Sequence, residues 1–351
     1  MLYAGHTNQS CSVNNIECMA PGAAERVSSM TQYIIRRLLG MVPLILGISF
    51  IVYALLNLVP GSPADQIERS PTMRPEDFER IQENMGLNDP WFFRYFTWLG
   101  NALQGDFGNS YINYAPVEFL LRSALPNTLI LAATSLAIAV IVSVPLGVFC
   151  AVNRNSLFDR IVNIIATAFS SIPTVWLGLM MIVVFAVKFQ EWGIPSLPTS
   201  GVRNLREPDG LLIRIEHLIM PAMAIALLSL ADLTRYIRSQ MLEVVRLDYV
   251  RTAQAKGLKS RSVLMGHAFR NAILPLVTLV GLSIPGLFGG ALIIENVFGY
   301  PGVGQLTVQS LQASDYSVAM ACVMMLAILT VIGNLIADIL YGVLDPRVRY
   351  D

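Results

Sequence analysis

Six apolar runs, each long enough to cross a lipid bilayer, constrain this chain more than any motif in it. They cover roughly Leu38 to Val59, Thr128 to Val152, Ile161 to Val187, Leu218 to Leu233, Leu274 to Ile294 and Val318 to Leu340. A spanning helix needs roughly 20 mostly apolar residues. The fourth run is the shortest and extends toward Tyr236 at the interface. With 54% hydrophobic and 14% charged residues and a mean hydropathy of +0.56, the composition lies outside the usual range of water-soluble domains. The fold class expected is an all-α membrane protein with six transmembrane helices.

An even number of spans puts both termini on one side, and the positive-inside rule selects which. With the N-terminus, the second and fourth connections and the C-terminus taken as cytoplasmic, 15 Lys or Arg lie inside and 9 outside, while 15 acids lie outside and 9 inside. Arg36 and Arg37 flank the first span, and Arg154 and Arg160 flank the turn between the second and third. Formal net charge is zero, so overall basicity does not point to nucleic acid; the distribution carries the information.

Residues 1–29 form a polar N-terminal extension without the apolar stretch of a signal peptide. Disorder is expected there, with Met30 as an alternative start. The first span (30–60) has an Arg pair before it and LVPGSPA after it, which resembles a cleavage site. Its apolar run is longer than a signal-peptide core and five more spans follow, so it reads as an uncleaved anchor.

The extracytoplasmic segment 61–125 is too long for a structureless loop. PEDFERIQENMG (75–86) carries helix start and stop signals, with Pro and acids early and Gly last. The stretch that follows supplies Trp91, Phe92, Phe93, Tyr95, Phe96 and Trp98, rings that favour the headgroup boundary. A small helical segment with an interfacial anchoring helix is expected.

Residues 126–351 hold the transmembrane core. An ion-coupled carrier should leave ionisable groups at membrane depth, yet the second, third and fifth runs have none between their ends, and Asp338 and Asp232 lie near the inner ends of theirs. Asp232, three residues before Arg235, reads as half of a helical ion pair. His6, His217 and His267 pair with no obvious nucleophile, and neither HExxH nor G-x-x-x-x-G-K-[ST] occurs. Cys11, Cys18, Cys150 and Cys322 have no metal or disulfide spacing. FGYPGVGQL has the glycines of a phosphate loop but follows a membrane helix, so it reads as a turn. In the fifth run, Ser283, Pro285, Gly286, Gly289 and Gly290 are candidates for lining a path or for close helix packing.

The connection 236–272 is the densest basic region of the side taken as cytoplasmic. YVRTAQAK is helix-prone and meets Gly257, a C-cap residue; Ser260 suits the start of a second helix, and Pro275 marks re-entry into the membrane. Charge and a helix corner suit both a lipid-attracted loop and a docking element for a cytoplasmic partner, and the residues alone leave both open. Nucleic-acid binding lacks aromatic interleaving.

Arg251, Thr252 and Ala253, Gly257 six positions on from Arg251, and Leu274–Pro275 resemble the EAA-type coupling loop of binding-protein-dependent ABC transporter permeases. The form is that of the dipeptide and oligopeptide permease family, first-subunit type. Arg251 replaces the acidic first residue, and the interval from glycine to proline is longer than in the sugar-permease version; both features look like the peptide branch. YIIRRLLGMVPLILGISF, GLNDPWFFRYFTWLGNALQGDFGNSY, HLIMPAMAIA, ENVFGYPGVGQL and DILYGVLDPRVRY extend the resemblance over nearly everything from Met30 to Asp351.

The resemblance implies a type I ABC importer permease fold in the bacterial cytoplasmic (inner) membrane, multi-pass, with both termini cytoplasmic. It implies a transport subunit rather than an enzyme, forming half of the path for di- or oligopeptides, or for nickel, glutathione or another small solute. Its partners would be a second homologous permease, two ABC ATPase subunits carrying the ATP and Mg, an extracytoplasmic substrate-binding protein and the bilayer, with no nucleic acid and no cofactor or metal in this chain. Tyr249, Val250, Arg251, Thr252, Ala253, Ala255, Lys256, Gly257 and Leu258 would couple it to the ATPase. An independent ion-coupled carrier and a non-transporting scaffold are the competing classes.

Overall fold

The computed structural model describes residues 21–58, 89–203, 210–256, 263, 269 and 273–344. These form helices α1 (Pro21–Leu58), α2 (Trp91–Leu103), α3 (Val117–Val152), α4 (Leu157–Ser171), α5 (Thr174–Ile182), α6 (Leu211–Val244), α7 (Asp248–Ala255), α8 (Leu274–Val297), α9 (Val303–Gln312) and α10 (Tyr316–Leu344). α5 continues through a π-helical segment, Val183–Lys188, and a last turn, Phe189–Glu191. Among the described residues six helical segments are long and apolar enough to cross a membrane: Gln32–Leu58, Val117–Val152, Thr174–Glu191, Leu211–Val244, Leu276–Val297 and Tyr316–Leu340. The helix proposed for 75–86 lies outside the described residues.

In the N-terminal half, three boundaries differ from the sequence expectation. The run Ile161 to Val187 is two helices, because Pro173 holds Ile172 in an extended conformation (ψ 127°) and caps a new helix. α1 starts at Pro21, so 21–29, expected to be disordered, continue it as helix. α3 starts at Val117, inside the segment assigned to the extramembrane region.

α3 and α6 are the central pair. They have 36 and 34 residues, about 54 and 51 Å at 1.5 Å per residue, against a hydrocarbon core of about 30 Å. Both therefore project well beyond it. They meet at Gly147, where a Cβ would stand 2.8 Å from Ile237 Cβ and 2.9 Å from the Thr234 carbonyl oxygen. Without a hydrophobic force between helices in lipid, such small residues set how closely backbones approach. Gly281 against Ala337 and Gly333 against Ile284 and Pro285 do the same for α8 and α10. α1 lies against α10, with Arg37 Nε 3.3 Å from Asp338. α2 rests on α1 through Tyr95, whose hydroxyl is 2.8 Å from Ser49 Oγ and whose ring meets Phe50 edge-on. Phe92, Phe93 and Phe96 stay exposed.

At the end of the bundle away from the basic connection, the turn after α8 is built around Glu295, which is fully buried. Its carboxylate accepts from Thr128 Oγ1 (2.6 Å), Gly304 N (2.7 Å) and Gln305 N (3.1 Å), and Thr128 Oγ1 accepts in turn from Val303 N (2.8 Å). The free N–H groups of the first turn of α9 thus hold an internal carboxylate. Gly302 and Gly304 leave the room: a Cβ would lie 2.2 Å from Glu295 Oε1 at the first and 2.4 Å from Leu292 Cα at the second. FGYPGVGQL is accordingly a turn followed by a helix start, and α8 runs three residues past the sequence boundary to include Glu295. Nearby, Asp315 accepts from Ser110 Oγ and from Tyr111 N at 3.1 Å.

Two glycines test this packing. Gly147→Val should lower the melting temperature of the detergent-solubilised protein by the equivalent of about 1–3 kcal/mol, as overpacking does. Gly286→Ala should leave it unchanged, since nothing lies within 4 Å of that Cβ; equal losses would refute the assignment of close contact.

Candidate functional site

At the basic end, α6 does not stop where its apolar run stops. Ile237, Met241 and Val244, spaced four and three apart, are buried and carry the helix along α3 and the start of α8. It ends in a turn, with Arg246 N bonded to Glu243 O and Leu247 N to Val244 O. α7 then begins at Asp248, an acidic residue in a helical first turn, where the macrodipole favours it.

The residues assigned to coupling fall on this element. Tyr249, Val250, Arg251, Thr252, Ala253 and Ala255 lie on α7, Lys256 closes its last turn, and Gly257 and Leu258 lie outside the described residues. Val250 is fully buried and pairs with Val263 in a small cluster. Thr252, Ala255 and Lys256 are exposed. At spacings of three and four they share one helix face. Thr252 Oγ1 bonds back to Asp248 O at 2.9 Å. One side of α7 is therefore pinned, and the other is available.

Beside α7's root, α4 docks on α6 through polar groups. Asp159 has a 3% exposed side chain, and its carboxylate accepts from Arg238 Nε (2.6 Å) and Nη2 (2.7 Å), Asn155 N (2.9 Å) and Asn163 Nδ2 (2.8 Å). Ser156 caps α4 by accepting from Asp159 N. Asn155, in the left-handed region at φ 63°, is a residue type that tolerates this conformation. Further along, Ser170 Oγ bonds to Asp232 Oδ1 (3.2 Å) and accepts from Arg235 Nη2 (3.0 Å), while Arg235 and Asp232 form the expected ion pair at 2.6 Å. Leu157, Phe158, Ile161, Ile164 and Ile165 of α4 face outward.

Hydrogen bonding to the Arg238 guanidinium holds the Asp159 carboxyl below its ordinary value, against the opposing effect of burial, and Asn155 N–H and the Asn163 amide add to it. A depressed carboxylate contributes stability that is complete above its unfolded pKa and lost only as acid carries the pH down through the folded one. The clasp is thus fully formed at neutral pH.

Neither Asp159 nor its pairing with Arg238 was a sequence candidate; 79 positions separate the two. The five fifth-run candidates stay in one stretch of α8 but have different surroundings. Ser283 Oγ bonds to Leu279 O and Pro285 lies against Gly333, whereas a Cβ at Gly286, Gly289 or Gly290 would meet nothing within 4 Å. Within this chain those three glycines make no close helix approach. Among the described residues no His, Cys, Asp and Glu cluster suits a metal.

The clasp has a measurable signature. Arg238→Ala should destabilise the protein by about 3–5 kcal/mol by leaving a buried charge unpaired, whereas Lys188→Ala, which breaks an exposed pair with Glu191, should cost no more than about 0.5 kcal/mol. The Arg238→Ala deficit should shrink on acidification, because an unpaired buried carboxylate has a raised pKa and takes up a proton. A pH-independent deficit in thermal melts would show that Asp159 is not the group left unpaired.

Comparison with known proteins places this geometry. Residues 143–350 match the family model described as binding-protein-dependent transport system inner membrane component, and residues 30–132 match that of the N-terminal part of such membrane components. The oligopeptide transport system permease protein AppB of Bacillus subtilis (strain 168) is 42% identical over 322 residues, covering 92% of this chain and 100% of that protein. The glutathione transport system permease protein GsiC of Escherichia coli (strain K12) is 34% identical over 321 residues, covering 92% and 100%. In fold, the chain is similar to a subunit of the MetNI methionine ABC transporter in an inward-facing conformation, with a TM-score of 0.52 at 19% identity over 65% of this chain and 97% of that one. The chain belongs to the family of binding-protein-dependent transport system inner membrane components, in its peptide permease branch.

Proposed function

We propose that this permease subunit forms half of the translocation path of an ATP-driven importer of peptides, and that α7 is the element that seats on a cytoplasmic ATPase subunit. The observation that carries the docking role is α7 itself: a short helix pinned by buried Val250 on one side and offering Thr252, Ala255 and Lys256 on the other. It hangs from a helix that continues from the membrane-spanning bundle without a break. The substrate class rests on the oligopeptide relative; the glutathione relative extends it to very short peptides, glutathione being a tripeptide. A second related permease completes the path, an extracytoplasmic binding protein delivers substrate, and both ATPase subunits supply the ATP and Mg chemistry. The basic end faces the cytoplasm of a bacterial cell, with both termini on that side.

An ion-coupled carrier is disfavoured by where the buried charges sit. Glu295 and Asp159 are held by three and four hydrogen-bond donors respectively, at opposite ends of the bundle, rather than facing each other along a path.

The docking role is tested by Lys256→Cys in the assembled complex, which should cross-link to the ATPase subunit with a short bifunctional thiol reagent. Gly257→Val should abolish substrate-stimulated ATP hydrolysis while membrane insertion persists. Normal stimulation in that variant, together with no cross-link, would remove α7 from the coupling surface. Uptake of a peptide by this chain alone in liposomes, driven by a proton or sodium gradient, would instead establish the carrier.

A further inference from the structure

The seating of α7 explains how a partner grips the end of α6, but not why α4 is fastened to that same end by charged and polar groups. Interhelical hydrogen bonds in membrane proteins contribute little on average, and α4 could pack on α6 with apolar residues, of which it has many. It turns those outward and directs polar groups at α6: Asp159 near its start, braced by Asn163 one turn along the same helix, and Ser170 near its end. On α6 the partners are Asp232, Arg235 and Arg238, three residues apart along the last turns before α7. A bidentate guanidinium–carboxylate pair fixes both distance and orientation, whereas apolar surfaces slide. Asp159 also holds the α3–α4 turn through Asn155 N, so three elements converge on one carboxylate.

We propose that Asp159 and Arg238 are positioning residues that make α4 and the projecting end of α6 one rigid unit, so that a partner moving α7 carries α4 and the α3–α4 turn with it. The inference rests on α7 being the docking element. It adds that the push reaches the membrane through two helices, and that Ser170 with Arg235 keeps the far part of α4 in step.

Spin labels at Leu157 and Lys256, both exposed, test this in the assembled complex by pulsed electron paramagnetic resonance. The wild-type separation should be the same without nucleotide and with ATP trapped, while both labels move relative to the outer end of the bundle. Asp159→Asn, isosteric and uncharged, should broaden that distance distribution on ATP binding and reduce peptide imported per ATP hydrolysed by about tenfold, in the range that coupling residues command. Ser170→Ala, at an exposed site where folding is not at risk, should produce a smaller loss in the same direction, and Asp159→Glu should restore part of it. A wild-type separation that changes with nucleotide, or unchanged import per ATP in Asp159→Asn with the Lys256→Cys cross-link intact, would overturn the rigid unit and leave docking standing. Absence of the cross-link in the otherwise unaltered complex, together with normal stimulation in Gly257→Val, would overturn both.

Discussion

Hydrocarbon offers the backbone no hydrogen-bond partner, and the rest of this structure follows from that. Each spanning segment must close its own N–H and C=O groups, which makes it a helix, and lipid gives two helices no hydrophobic reason to touch. Contact is left to close fit and to polar groups that have nowhere else to go. Gly147 beneath Ile237 and Gly281 beneath Ala337 show the first. The buried carboxylates show the second. Asp159, Glu295 and Asp315 are 2%, 0% and 4% exposed, and each closes a bond across 79, 167 or 204 positions of chain. A buried charge without partners is far more costly than an average interhelical hydrogen bond is favourable, so these residues dictate which segments meet.

The two ends of the bundle use the same device differently. At the Glu295 end the acceptor is inside the structure and the donors are the Thr128 hydroxyl and backbone amides of a helix start, none of them on an exposed residue. Tyr300, buried beside it, has its phenol pushed up to about 12, first by burial and then by the Glu295 charge, so it stays neutral there. At the basic end the donor is a long side chain that remains 23% exposed while its partner is dry. Arg238 can therefore keep contact with water while it orders α4.

The spans, the aromatic helix α2 and the position of α7 were legible because each is written in local runs: apolar stretches, a Trp/Phe/Tyr cluster, a helix-forming segment next to a glycine. Boundaries were less so. Hydropathy averages over a window, and Pro173, the one residue that divides Ile161 to Val187 into α4 and α5, hardly alters that average. The length of α6 was underestimated because Asp232, Arg235 and Arg238 ended the apolar run, although Leu233, Ile237, Met241 and Val244 continue a buried stripe that helical periodicity reveals. Glu295 and Asp159 lie at the edges of apolar runs in the sequence, and nothing local distinguishes a carboxylate that faces water from one whose donors arrive from a distant segment.

The close approach at Gly147 has a mechanical meaning. α3 and α6 share buried residues along much of their length, from Leu131 and Met220 to Ala151 and Val244, and at Gly147 the fit leaves no room even for a methyl group. Two rods seated over that length, and locked backbone against side chain at their tightest point, resist sliding past one another. A displacement at the end where α7 hangs is therefore carried along the pair rather than absorbed at the seam between them.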